Sequence, residues 1–283
     1  MKIINISREL RLGYDAFNFI AKLQHQCIHS NEMIEVNLIN AKSINPAFIT
    51  ILGSLPEISE KHHKYFKGIV YNPTNKNNKK IIRDTGIWGY YEEKAKLQKK
   101  NKTMLFHNIE KNQIERYLDD LLSCIPVNLE QNLKGLLSTS IIEVFNNAFE
   151  HGKPDKGVYC SGKFDSSKKN FIFSLYDAGI GIKQNVGEYL KSSISDKFAV
   201  EWALSENNST RINKNIPGGN GLKLIEQFIN ANHGKIYMLS GNALCKIVDS
   251  KRIIDELDNP IQGTLFIMDI KTDKTNKYVY TKK

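Results

Sequence analysis

The apolar run Phe171-Ile-Phe-Ser-Leu-Tyr176 ends in a carboxylate, Asp177, and then in two glycines one residue apart, Gly179 and Gly181. A run this apolar reads as a strand buried in a core, and an acid is an unusual way to close one. The glycines permit backbone angles that a side chain forbids, and they let a flat ligand approach the main chain. An ionised carboxylate only accepts hydrogen bonds, so Asp177 suits an exocyclic amine such as that of adenine. The same string also fits an ordinary strand-to-loop turn, so its meaning depends on what accompanies it.

Upstream lies Ile141-Ile-Glu-Val-Phe-Asn-Asn-Ala-Phe-Glu-His-Gly152. Leu129, Leu133, Leu136, Leu137, Ile141, Val144 and Ala148 recur at three- and four-residue steps, which predicts an amphipathic helix bounded by Pro126 and Gly152. Glu143 and Asn147 are four apart and share one edge of that helix beside the apolar stripe. An amide oxygen and an acid so placed could hold Mg²⁺ and polarise a water, although a plain polar flank has the same pattern.

Downstream, Pro217-Gly-Gly-Asn-Gly-Leu-Lys-Leu-Ile225 opens a second apolar-periodic helix with three glycines in four residues. Such a loop offers free backbone N–H groups and the positive end of a helix dipole, a combination that favours phosphate. No Gly-Lys-Ser/Thr follows, so it is not a Walker A loop, and no strand leads into it as a dinucleotide fingerprint requires.

The order of these pieces resembles the GHKL nucleotide-binding family, which takes in DNA gyrase, heat-shock chaperone ATPases, histidine kinases and mismatch-repair ATPases. The resemblance rests on E-x-x-x-N-A in a helix, D-x-G-x-G-I after a strand, and G-x-G-L at a helix start. A last strand, Gly263-Thr-Leu-Phe-Ile-Met-Asp-Ile270, agrees, as does Lys235-Ile-Tyr-Met-Leu-Ser240 after a helix ending at Asn232-His-Gly234. It covers residues 127 to 270, and its form is most similar to the anti-sigma-factor serine kinases. The resemblance implies that Glu143 is the general base or water-orienting acid and Asn147 the Mg²⁺ ligand. It further implies that Asp177 accepts from the adenine amine, with Gly179 and Gly181 shaping the base pocket and Thr264 beside the carboxylate. Gly219, Gly221 and Leu222 would close over the phosphates. The roughly thirty-five residues from Lys183 to Pro217, with a short helix around Phe198 to Leu204 and a polar stretch carrying Arg211 and Lys214, correspond to the ATP lid.

Residues 1–105 have another character. A helix over Phe17–Cys27, an alternating strand over Met33–Ile39, a helix over Ala47–Leu55 closed by Pro56, a strand over Lys67–Tyr71 and a loop over Asn72–Asn78 predict a small α/β domain. The strand, loop and helix from Leu38 to Leu55 are similar to a STAS domain. Asn45-Pro46 stands where STAS antagonists carry Asp and the phosphorylated Ser, and Ser43 is displaced, which implies a structural or regulatory module. The basic connector Lys94–Lys102 marks the boundary, and a helix is expected over Asn108–Ser123. The fold class expected is thus α+β/α/β: a GHKL (Bergerat) α/β sandwich over 106–275 after a STAS-like α/β domain, with a polar tail at 276–283.

Composition narrows the setting. The formal net charge is +10, and residues 1–100 hold 16 Lys and Arg against 9 Asp and Glu. That imbalance suits an acidic protein partner or nucleic acid, but no nucleic-acid motif accompanies it. Cys27, Cys124, Cys160 and Cys245 are far apart, with neither zinc spacing nor a disulfide framework. No apolar run reaches the length of a membrane span and no leader is recognisable, so a cytoplasmic protein is expected.

Three functions fit the resemblance: a Mg²⁺-dependent ATPase whose lid closure switches a protein partner, an anti-sigma-type protein kinase, and a non-catalytic nucleotide sensor. Glu143 favours the first two, and the short stretch after residue 270 disfavours a topoisomerase. ATP and Mg²⁺ are the expected ligands. The helix before the motif helix offers a surface for packing or dimerisation, as in the family. ATP binding with slow hydrolysis is the reading carried forward.

Overall fold

A computed structural model describes residues 1–62, 66–70, 72–91, 103–125, 131–155, 157–205 and 220–272. The basic connector, Pro126, Leu129, Arg211, Lys214, Gly219 and the tail from 276 lie outside the described residues. So do the side chains of Leu133 and Leu136. The amino-terminal part runs β1 (Lys2–Asn5), β2 (Glu9–Leu10), α1 (Tyr14–His29), β3 (Ile34–Asn37), β4 (Ser43–Ile44), α2 (Ile49–His62), β5 (Phe66–Val70), α3 (Lys76–Thr85) and α4 (Ile87–Tyr91). There follow β6 (Thr103–Ile109), α5 (Ile114–Cys124), α6 (Gln131–Asn147), β7 (Val158–Asp165), β8 (Asn170–Asp177), α7 (Gly181–Leu190), α8 (Asp196–Leu204), α9 (Asn220–Ala231), β9 (Lys235–Val248) and β10 (Lys251–Lys271). The chain is therefore a mixed α/β protein.

In the amino-terminal part, β1, β3 and β5 form a parallel sheet with helices between the strands. Local chemistry sets its helix starts. Asn45 accepts from the Ala47 N–H with Pro46 at the first helical position, and Asn75 accepts from Asn77 and Asn78 N–H at the start of α3. Two expectations are corrected here. Pro56 does not end its helix: α2 runs through it to His62, giving up one intrahelical bond while Leu55 and Ile58 on either side stay buried. The loop expected over Asn72–Asn78 stops at Asn75, because that residue caps a helix.

The second sheet is antiparallel throughout, in the order β6-β7-β8-β10-β9, with β8 in the middle. The two long strands β9 and β10 are joined at Asp249 and Ser250, both with positive φ (49° and 59°), a two-residue turn whose twist suits a hairpin. The expected strands Lys235–Ser240 and Gly263–Ile270 are segments of this longer ribbon. The helix expected from Asn108 begins only at Ile114, since Asn108 and Ile109 pair with β7 and a Glu110–Gln113 capping box intervenes.

Both faces of this sheet are covered. Phe171, Phe173 and Leu175 of β8 pack with Phe145 of α6, Leu121 of α5 and Ile229 of α9. Ile172 and Tyr176 point the other way, into a cluster with Phe17 of α1 and Leu52 of α2. Double coverage is why the run reads as continuously apolar rather than alternating. Phe17 sits 5.3 Å from the Phe48 ring and 5.5 Å from Tyr237 of β9, so the amino-terminal helices share their core with the sheet. At the β6–β7 edge, Glu57 of α2 accepts from Tyr159 (2.6 Å), Tyr90 (3.0 Å) and Asn108 (3.3 Å). Lys163 of β7 pairs with Asp84 of α3 at 2.7 Å, both side chains nearly buried.

Phe17→Ala removes a fully buried ring from that shared core. We expect a loss of about 3–5 kcal/mol in a single transition followed by chemical denaturation. Separate unfolding of residues 1–91, with the rest unmoved, would contradict the shared core.

Candidate functional site

The motif helix α6 does not stop cleanly at Asn147. Its last turn, Ala148–Gly152, widens into a π turn, and Lys153 then adopts the left-handed conformation at φ 49°. Single π turns recur where a helix must deliver a backbone group off its regular path. Here the delivered group is the Gly152 carbonyl, which accepts the Ile180 N–H at 2.8 Å. The strand-end loop Asp177–Gly181 is thereby docked on the end of α6. Gly179 is needed for that approach: a Cβ on it would lie 1.7 Å from the Gly152 carbonyl oxygen.

Asp177 is the last residue of β8. Successive strand residues alternate faces, so it lies on the α6 side with Phe171, Phe173 and Leu175. It is 3 % exposed. Its Oδ1 accepts the Gly179 N–H at 3.1 Å, and Thr264, its cross-strand neighbour on β10, donates through both backbone and hydroxyl. Burial pushes the carboxyl up to about 7, against the pull of these donors. Gly152 closes over it so tightly that a Cβ there would meet the carboxyl carbon at 2.8 Å.

Thr264 is set by the residue before it. Gly263 has φ +78°, and a Cβ on it would fall 1.9 Å from the Asp177 carbonyl oxygen, so the strand passes Asp177 only as glycine. Ser240 of β9 completes this floor. Its hydroxyl accepts from the Ile182 N–H (2.9 Å) and reaches the Gly263 carbonyl (3.2 Å) and the Thr264 hydroxyl (3.3 Å). Gly181, also at positive φ, opens α7 directly above Ser240. That helix was not foreseen, since the stretch after Gly181 read as the start of a lid.

Of the residues the sequence singled out, Asp177, Gly179, Gly181 and Thr264 are thus brought into one cluster. Glu143 and Asn147 are half-buried and one turn apart on α6, with Asn147 adjoining the π turn that ends at Gly152. Gly221 and Leu222 occupy the first turn of α9, which packs on α6. Gly219 lies outside the described residues. Gly152 and Ser240 were missed as site residues. Gly152 carried a signal, as the glycine ending the motif helix; Ser240 carried none, because only the sheet register brings it beside Thr264.

A cleft of about 490 Å³ lies beyond the loop, walled by Gly179, Ile180, Lys183, Asp196 and Gln262. Glu143, Asn147 and Asp177 do not line it. Among the described residues, no three His, Cys, Asp or Glu side chains converge as a metal cage. Asn147, half-buried one turn after Glu143, would supply magnesium one amide oxygen, which suits an ion that commonly takes one or two protein oxygens and fills its shell with water and phosphate.

No protein-family model matches the chain, and no curated protein matches it. No helix among the described residues is long and apolar enough to cross a membrane.

The raised carboxyl makes a prediction about stability. The folded state holds the Asp177 proton to about pH 7, whereas the unfolded chain releases it near the ordinary value of about 4. The contribution is therefore full below about pH 4 and lost as pH rises to about 7, on the order of 4 kcal/mol in all. Asp177→Asn, which mimics the protonated acid, is expected to abolish that fall and to be the more stable protein at pH 8. Parallel pH–stability curves for the two proteins would refute the assignment.

Proposed function

We propose that the chain is an ATP-binding protein of the GHKL type, which hydrolyses ATP slowly with Mg²⁺ and uses lid closure to regulate a partner protein. One observation carries this reading. A nearly buried carboxylate stands at the end of the middle strand, and the neighbours that bond it, Gly179 and Thr264, all donate to it. Burying a carboxylate is costly, and strongly perturbed acids cluster at functional sites. An acid surrounded by donors gains from one donor more, and the exocyclic amine of adenine is such a group.

The remaining residues take their parts from this anchor. Gly179 and Gly152 let the strand-end loop and the end of α6 meet over the acid, a contact that would have to open to admit a purine. Asn147 offers its amide oxygen to a magnesium ion, and Glu143, one turn earlier, orients the attacking water. Magnesium, when bound, neutralises charge on the phosphate oxygens. The first turn of α9 brings backbone N–H groups to the phosphates. The amino-terminal α/β part, with helices alternating between parallel strands, serves in this reading as a STAS-like regulatory module.

Glu143→Ala is expected to leave the ATP dissociation constant within about threefold and to slow hydrolysis by about 10²–10⁴-fold, measured as phosphate release over hours. Unchanged turnover would move the reading to a nucleotide sensor. With γ-labelled ATP and cell extract, free phosphate supports the ATPase, and label on a protein band supports a kinase instead.

Asp177→Asn is expected to weaken ATP binding by about 1.5–3 kcal/mol. The pH dependence has a definite sign. Because the amine is bound best by the ionised form, wild-type affinity should fall as pH drops below about 7, by at most about tenfold per unit, and the variant should lose this slope. Calorimetry showing equal affinities and equal slopes would exclude Asp177 as the base-reading group.

A further inference from the structure

The Asp177 loop is held from the opposite side of the sheet as well, by a helix of the amino-terminal part. Between Glu256 and Thr264, β10 falls out of regular register with β9, and its pairing with β8 begins only at Thr264. Side chains of α1 take over bonds along that irregular stretch. Tyr14 donates to the Glu256 carbonyl (3.1 Å), and Asn18 both donates to the Asp258 carboxylate (2.6 Å) and accepts its N–H (3.1 Å). Gln24, 1 % exposed, accepts the Gln262 N–H at 2.8 Å and donates to the Tyr176 hydroxyl.

Gln24 closes a circuit. Tyr176 donates in turn to the Gln262 carbonyl (2.7 Å), and the Gln262 side-chain amide donates to the Ala178 carbonyl (2.9 Å). Tyr176 and Ala178 are the two neighbours of Asp177 in the chain. One buried amide of α1 therefore fixes both the residue before the acid and, through Gln262, the residue after it.

We infer that Gln24 is a positioning residue for the adenine pocket, so that seating of α1 on the 256–262 stretch and nucleotide binding at Asp177 are thermodynamically coupled. The inference rests on the nucleotide reading above. Its physical basis is reciprocity: whatever α1 contributes to the loop's competent geometry, a ligand of that geometry returns to the seating of α1. A signal received by the amino-terminal part thus has a route of four hydrogen bonds to the site. A purely structural role would seal the strand irregularity and change stability without changing affinity or base selection.

The test uses the full chain and a non-hydrolysable ATP analogue in calorimetry. Gln24→Leu keeps the volume and removes both bonds. It is expected to raise the dissociation constant about tenfold, the scale of one net hydrogen bond, and to reduce the preference for adenosine over guanosine nucleotide. Ile82→Ala in α3, buried but outside the circuit, should lower the melting temperature and leave the dissociation constant unchanged. Should Gln24→Leu fail to fold, Gln262→Met breaks only the bond to Ala178 and should weaken binding by several-fold. Wild-type affinity and base preference in the Gln24 and Gln262 variants would overturn the inference while the nucleotide reading stands. Wild-type protein that binds no nucleotide would instead remove that reading and the affinity coupling with it. Hydrogen exchange at Ala178–Gly181 in the ligand-free chain keeps the two failures apart: faster exchange in Gln24→Leu supports the mechanical link, and unchanged exchange refutes it.

Discussion

A carboxylate buried at the end of the middle strand governs the packing around it. Asp177 sits where β8 emerges between two covered faces, and water is nearly excluded from it. Three things make the position tolerable. The Gly179 N–H and the donors of Thr264 solvate the acid from the protein side, and the glycines at 152, 179 and 263 let main chain approach where side chains would collide. The cost is stability near neutral pH.

The amino-terminal part has a definite share in that arrangement. The outer face of the antiparallel sheet carries Tyr159, Ile172, Tyr176 and Tyr237, and these need apolar cover as much as the α6 face does. Helices α1 and α2 supply it, with the Glu57 cluster and the Lys163–Asp84 pair fixing the edge. The pair costs desolvation and stabilises little beyond its specificity, so the shared apolar core is the main bond between the two parts. Where β10 falls out of register, α1 also replaces strand pairing with side-chain bonds, and this brings Gln24 within one residue of the site.

Much of the cluster around Asp177, and the candidate pair on α6, could be named from the chain because these residues lie in short local patterns. Asp177, Gly179 and Gly181 follow a strand; Glu143 and Asn147 share a helix edge; Thr264 follows a glycine. The positions of Pro56, Asn75 and the β9–β10 ribbon were misread or missed for a common reason. A proline within a helix, an asparagine at a cap and an Asp-Ser turn each carry weak local signals: buried Leu55 and Ile58 decided the first, the side-chain bonds of Asn75 the second and the pairing of β9 with β10 the third. The start of α7 at Gly181 was hidden because a glycine pair after a strand reads as loop in either case.

By itself the sequence determined the alternation of elements, the buried strand with its terminal acid, and the residue types able to meet an amine, a metal ion and phosphate. These follow from periodicity and from the chemistry of single side chains, which need no partner to be recognised. Only the tertiary structure decided that Gly152 would cap the acid, that Ser240 would join Thr264 and that Gln24 would reach Tyr176. Those contacts join residues 24 to 152 positions apart. Their existence depends on strand register and on which helix covers which face, quantities that no local pattern encodes.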